Sequence, residues 1–223
     1  FKKNRSYKRE EERRKFALQA LTHELRTPIS SLMLSAEFLL NHFDQVPKSF
    51  QEQMLRVAND VQRLRRLADV SRQYLSVFRG KELICFNSKR IDSINDFVME
   101  ILTPYREGLI FIPLNIDRAF RLDSYWVGVC IKNLVENAVL HGRAPIEVSL
   151  RYEQQRLEFF VKDAGELPFT KTSVLGQPFL STDQQQGLGL GLSIVKKVIQ
   201  EMKGDFIVKT NPTLFGFIIG EKF

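Results

Sequence analysis

Residues 21–32 read LTHELRTPISSL and set a histidine, an acid, a threonine and a proline inside one stretch of helical periodicity. Leu18 and Leu25 lie seven apart, as the seam positions of a packed helix do. Counting from them puts His23 on the side facing solvent, which excludes a core role for its imidazole. Glu24 is its neighbour and Thr27 lies one turn on, so the three side chains can share one surface patch. Pro28 removes a backbone hydrogen bond and bends the helix just beyond them. A reactive surface imidazole and a casual surface histidine both fit these residues taken alone.

A second group of residues lies in the other half of the chain. Asn133 and Asn137, in NLVENA, fall four apart on a predicted helix and so face one side. An amide oxygen is a hard ligand suited to a Mg²⁺ ion that also touches phosphate oxygens. Asp163, in DAG, follows an apolar strand at 157–161, which places a carboxylate at a strand end. Gly187, Gly189 and Gly191 open the next helix, where glycines let backbone N–H groups approach phosphates and the helix dipole favours anions. Each feature has a plainer reading. The glycines can make a tight packing turn, asparagines on helices are often caps or surface residues, and a strand-end aspartate often forms a turn. The glycine spacing is not that of the dinucleotide fingerprint. The order of the three features along one chain is what carries specificity.

The elements that must position these residues differ between the two parts of the chain. In the first part, Leu18, Leu21, Leu25, Pro28, Leu32, Ser35 and Leu39 alternate spacings of three and four. Phe50, Met54, Val57, Val61, Leu64, Ala68, Ser71, Leu75 and Phe78 do the same. Two long helices are predicted, joined by a turn at 41–48 where Asp44 and Pro47 break the pattern. A single hairpin cannot cover apolar seams this long, so a homodimeric four-helix bundle is expected. After Arg79-Gly80 the pattern changes to short strands at 109–112, 146–152, 157–161, 205–209 and 215–219. Helices are predicted at 91–105, 124–141 and 190–202, and STDQQQ at 181–186 reads as a polar loop. The fold class is α+β: domains are predicted at 1–80, a helical hairpin with a basic N-terminal helix, and 81–223, a layered α/β unit.

Bulk properties bound the surroundings. The chain of 223 residues is long enough for two ordinary domains and carries a net charge of +7. Eight Lys or Arg against three Glu in the first fifteen residues account for five of those charges. Such a segment fits a juxtamembrane helix under the positive-inside rule and equally a solvated helix end. Because the basic excess is terminal rather than spread over a groove-reading element, no nucleic-acid partner is expected. Cys85 and Cys130 lack the spacing of a zinc or redox motif, and both are expected as reduced core residues of a cytoplasmic protein. No run of eighteen apolar residues and no signal peptide is visible. The chain starts with Phe, which predicts a piece of a longer protein.

At this point the sequence resembles the cytoplasmic catalytic portion of a sensor histidine kinase from a two-component signalling system, over nearly the whole chain. FALQALTHELRTPISSL is similar to the family's phosphoacceptor box, and NLVENAVLHG to its asparagine box. DAGELP resembles its first glycine box, GQPFLST its phenylalanine box and GLGLGLSIV its second glycine box. The resemblance implies a dimeric hairpin that carries the histidine, followed by an α/β-sandwich ATP-binding domain of the histidine kinase, gyrase and chaperone ATPase type. It implies that His23 takes the γ-phosphoryl group of ATP, that Glu24 fixes the imidazole tautomer and that Thr27 aligns a water for phosphatase action. The implied nucleotide-binding set is Asn133, Asn137, His141, Asp163, Gly165, Phe179, Gly187, Gly189, Gly191 and Leu192, with Asn137 holding Mg²⁺ and Asp163 accepting from the adenine amino group. A lid at 166–186 follows from the same likeness. The implied partner is a response regulator receiver domain, docking beside His23 on Arg26, Ser30, Leu34 and the facing second helix. The implied place is the cytoplasmic side of a bacterial inner membrane, reached through a segment preceding this one.

Three departures from the family pattern stand out: Leu167 for a glycine, Leu140 for a basic residue, and Gly176 for the first aromatic of the phenylalanine box. They leave a second function open, a nucleotide-binding scaffold with impaired kinase activity. The intact His23-Glu24 pair and Thr27 weigh against it. Relatives of this fold that hydrolyse ATP place a glutamate one turn before the metal-binding asparagine, whereas this chain has Asn133 there.

Overall fold

The computed structural model describes residues 25, 27–78, 84–166 and 189–221. The chain divides into two compact units, residues 1–79 and 80–223.

In the first unit, helix α1 (residues 27–41) and helix α2 (Lys48–Val77) form a hairpin. The turn between them is a 3₁₀ segment, Phe43–Gln45, closed by Gln51, whose Nε2 donates to the carbonyls of Phe43 (3.2 Å) and Val46 (3.1 Å). Pro47 then stands at the start of α2, where its missing N–H costs no helical bond. Of the four residues that pack together inside the hairpin, only Val61 belongs to an expected seam. Ala36, Ala58 and Val61 pack together inside the hairpin with Met33 against them. Leu25 just before α1, Leu32 and Leu39 on it, and Phe50, Val57 and Leu64 on α2, each seven apart, stay 36–54% exposed. One hairpin buries only one stripe per helix, so the second heptad stripe remains uncovered within the chain.

The second unit opens with a small ribbon that the sequence did not reveal. Strand β1 (Lys89–Ile91) pairs antiparallel with β3 (Phe120–Leu122). Three residues per strand are too few to show a period of two. Ile91 therefore lies in a strand, and helix α3 (Ile94–Leu102) starts later than the predicted 91. Ser93 sets that start: its side chain accepts the Asp96 N–H at 2.9 Å, the bond of a typical N-cap. Pro104 then turns the end of the helix into a 3₁₀ segment, Thr103–Tyr105.

The main sheet holds β2 (Leu109–Ile112), β4 (Ile146–Glu153), β5 (Arg156–Asp163), β6 (Asp205–Thr210) and β7 (Thr213–Gly220) in the order β2-β4-β5-β7-β6. Only β2 and β4 are parallel. Val148, Phe159, Val161, Phe215 and Phe217 point from one face into the core, where they meet buried residues of helices α4 (Ser124–His141) and α5 (Gly191–Glu201). Phe159 and Phe217 are cross-strand partners with rings 5.3 Å apart. On the opposite face, charged partners lie in register, Glu147 with Lys162 and Arg151 with Glu158, which keeps that face polar. Strands β4 and β5 join through Gln154 and Gln155, both left-handed (φ 50° and 63°), the geometry of a two-residue hairpin turn.

The two cysteines separate. Cys130 is buried on α4, where burial pushes its thiol pKa up, but Cys85 is exposed and not the core residue expected. No helix among the described residues is long and apolar enough to cross a membrane.

Candidate functional site: a nucleotide cradle on α4

Helix α4 organises the site. Asp123 caps its N-terminus: Oδ1 accepts the Trp126 N–H at 2.9 Å, and Oδ2 accepts the N–H of Asn87, in the segment leading to β1, at 2.6 Å. The C-terminal half of α4 carries Asn133, Asn137 and His141 at four-residue spacing, so they follow one another along one face. Asn133 is buried, Asn137 half-buried and His141, at the last turn, exposed.

The end of β5 meets the end of α4. Asp163 is only 4% exposed. Its Oδ1 accepts the N–H of Gly165 at 2.7 Å and that of Arg143, just past α4, at 3.3 Å. Arg143 and Ala164 add a backbone bond of 2.9 Å. Gly142 is required by this contact: a Cβ there would stand 2.5 Å from the Ala138 carbonyl and 2.8 Å from Asp163 Cγ. With one carboxylate oxygen taken by two backbone donors, Asp163 is fixed in orientation, and its second oxygen is the atom turned to other uses.

The start of α5 meets α4 further along. Gly189 adopts φ 64°, a left-handed value that favours glycine, and Gly191 begins the helix. The N-cap residue of α5 is Leu190, whose side chain cannot accept a hydrogen bond, and the Ser193 hydroxyl donates backward to the Leu190 carbonyl at 2.7 Å. The leading N–H groups of α5 therefore lack an acceptor from its cap residue, and such a helix end suits an anion.

The structure thus gathers Asn133, Asp163, Gly165 and Gly191 against one helix, with Asn137 and His141 on the same face and Leu192 half-buried in the first turn of α5. His23, Glu24, Phe179 and Gly187 lie outside the described residues, as do Arg26, the polar loop at 181–186 and the departures Leu167 and Gly176. Thr27 stands exposed at the start of α1. Leu140, the third departure, is exposed on α4.

Two participants escaped the sequence. Thr213, first residue of β7 and buried, donates from its hydroxyl to the Gly165 carbonyl at 2.6 Å. Tyr105 donates to Glu136 Oε1 at 2.9 Å, fixing the residue next to Asn137. They lie 48 and 31 residues from their partners, and no local motif marks them.

Comparisons with known proteins agree with this geometry. Residues 13–74 match the His Kinase A (phospho-acceptor) domain, and residues 123–220 match the histidine kinase-, DNA gyrase B- and HSP90-like ATPase domain. The sensor histidine kinase VxrA of Vibrio cholerae is 37% identical over 209 residues, 93% of this chain and 40% of its own length. The alginate biosynthesis sensor protein KinB of Pseudomonas aeruginosa is 25% identical, over 90% of this chain and 35% of its own. Among solved structures, full-length ShkA in complex with AMPPNP matches with TM-score 0.65 at 20% identity over 91% of this chain and 45% of its own. Histidine kinase AdeS of Acinetobacter baumannii matches with TM-score 0.60 at 19% identity, over 90% of this chain and 98% of its own.

The chain belongs to the histidine kinase family of two-component sensors and carries its phosphoacceptor domain and its ATP-binding domain. It spans well under half the length of the two curated relatives named here.

Proposed function

We propose that this chain is the kinase portion of a sensor that phosphorylates its own His23 from ATP and passes the phosphoryl group to an aspartate of a response regulator. In the first step a neutral imidazole nitrogen bonds to the γ-phosphorus as the bond to the bridging oxygen breaks, and the electron pair leaves on ADP. Glu24 holds the other ring nitrogen, and Thr27 serves a separate phosphatase reaction by aligning a water that attacks the regulator's aspartyl phosphate and releases inorganic phosphate. Asp163 takes the adenine amino group on its free oxygen, Gly165 and Gly142 keep the base's space clear, and α5 with Gly187, Gly189 and Gly191 receives the phosphates. Residues 1–80 act as the dimerising phosphoacceptor hairpin and 81–223 as the ATP domain.

The observation that supports this reading best is the Asp163 carboxylate, pinned through one oxygen by the Gly165 and Arg143 N–H groups. A magnesium ion fits the donor set only as one shared with phosphates: among the described residues no cluster of three acids, histidines or cysteines could hold it alone, and Asn137 offers one amide oxygen. When bound, Mg²⁺ neutralises charge on the phosphate oxygens.

The exposed heptad stripes of α1 and α2 support a homodimer through the hairpin, because a second copy offers the matching stripes. A groove between α1 and α2, lined by Ser30, Leu34 and Glu37 on one side and Arg65, Asp69 and Arg72 on the other, is the regulator's docking surface. Attachment to a membrane through a preceding segment completes the reading.

The test is incubation with Mg²⁺ and γ-labelled ATP, wild type beside His23→Ala and Asn137→Ala. An acid-labile, base-stable label on wild type and on neither variant is expected. Nucleotide binding with no label on wild type would instead favour a signalling scaffold.

A further inference from the structure

Helices α4 and α5 touch where the second glycine box meets the asparagine box. A Cβ built on Gly191 would lie 2.7 Å from Asn133 Oδ1, and its three nearest atoms all belong to the Asn133 side chain. That side chain is held: Asn133 is 8% exposed, and its Nδ2 donates to the Val129 carbonyl at 2.8 Å. Fixed in this way, the amide turns Oδ1 toward the Cα of Gly191. Because its cap residue, Leu190, holds none of them, the placing of the leading N–H groups of α5 depends on what the helix packs against, and at its first residue that is Asn133.

We propose that Asn133 is a positioning residue: its carboxamide, locked on Val129, is the seat for Gly191 and sets the distance between the leading N–H groups of α5 and Asn137. This rests on the nucleotide reading of the site. It also assigns a cause to the glycine at 191, which is excluded from bearing a side chain by the Asn133 amide and not by phosphate. The two residues then behave as a pair, in which a methyl added on one side fits once the amide is removed from the other.

The measurement is ADP affinity by calorimetry for wild type, Gly191→Ala, Asn133→Ala and the double variant, with Mg²⁺ and again in EDTA. EDTA removes the metal, so losses there report the seat of α5 and not a metal ligand. Alanine is a better helix former than glycine, which protects the Gly191→Ala backbone. Asn133→Gln, which lengthens the amide toward Gly191, repeats the challenge if that variant does not fold. Overpacking at the contact is expected to weaken ADP by about tenfold in both buffers for Gly191→Ala. Adding Asn133→Ala should bring affinity back to within about threefold of Asn133→Ala alone. Losses that multiply in the double variant, or an Asn133→Ala loss seen only with Mg²⁺, would overturn the proposal. Wild type that binds no ADP in either buffer would overturn the nucleotide reading itself.

Discussion

Asp163 and Thr213 face each other across the β5–β7 ladder and close on Gly165 from both sides: the carboxylate accepts its N–H at 2.7 Å and the hydroxyl donates to its carbonyl at 2.6 Å. Asp163 at the end of β5, Thr213 at the start of β7 and Gly165 just beyond β5 thus form one hydrogen-bonded corner.

Thr213→Val keeps the shape and removes the hydroxyl, and should cost about 1 kcal/mol of nucleotide affinity, roughly fivefold. Asp163→Ala also strips the partner from two backbone N–H groups, and at least about a hundredfold loss is expected. Titration with a fluorescent ADP analogue measures both.

The uncovered stripes make the dimer sensitive at their middle. Leu32→Glu or Val57→Glu places a charge where a second copy would bury an apolar side chain, and sedimentation should show a monomer at concentrations where wild type is dimeric. A double change on the polar outer face, Glu52→Gln with Arg56→Gln, should leave the dimer intact.

In the hairpin groove Arg72 pairs with Asp69 at 3.0 Å on the exposed side of α2. Surface pairs of this kind contribute little to stability, so Arg72→Glu should leave the melting temperature nearly unchanged. The rate of phosphoryl transfer to the regulator should fall about tenfold or more, because like charge now faces whatever Arg72 faced. Unchanged transfer would remove α2 from the docking surface.

Gln154 and Gln155 both hold left-handed backbone that costs a non-glycine residue about 1–2 kcal/mol. Replacing them with Asn-Gly, the pair that this turn favours, should stabilise the ATP domain by about that amount, read from the urea midpoint. No change in ADP affinity is expected.

Asp117 gives the acid limb of stability a local source. Slight burial pushes its pKa up, but the Ser93 hydroxyl and the N–H groups of Asn95, Arg118 and Ile94 outweigh this and hold it below the usual 3.8. A depressed carboxylate contributes stability that is complete above its unfolded pKa and lost as pH falls through the lower folded value. Asp117→Asn should therefore lower the urea midpoint at neutral pH and flatten its fall below about pH 4, so that variant and wild type converge in acid.

The sequence showed the strands of the main sheet to within two residues at either end, because each alternates or runs apolar over at least four residues. It also showed α4 from Ser124 to His141, whose apolar run is bounded by Asp123 and Gly142. It missed β1 and β3, too short to have a period, and extended α3 by reading Ile91 and Tyr105 as helical when Ser93 and Pro104 bound it. In the hairpin, heptad counting found the exposed stripe of α1, with Leu32 and Leu39, but missed Met33 and Ala36, which pack against Ala58 and Val61, since a sequence period does not say which partner each stripe meets. At the site, motif residues were legible because their spacing is local. Thr213 and Tyr105 were not, because their contacts exist only once distant strands and helices have assembled.

The anchoring of Asn87 on Asp123 makes α4 a lever. The chain entering the ATP domain is fastened at the base of this helix, and His141 stands at its tip, 18 residues and about 27 Å of helix away, with Asn133 and Asn137 between. A tilt of about 5° at the base moves the tip by roughly 2 Å, whereas a misplacement of about 1 Å is enough to slow a positioned reaction a hundredfold. Because Gly142 at the tip already sits tight on Asp163, a swing of that size is blocked, and the helix holds Asn137 and His141 in fixed register with the end of β5.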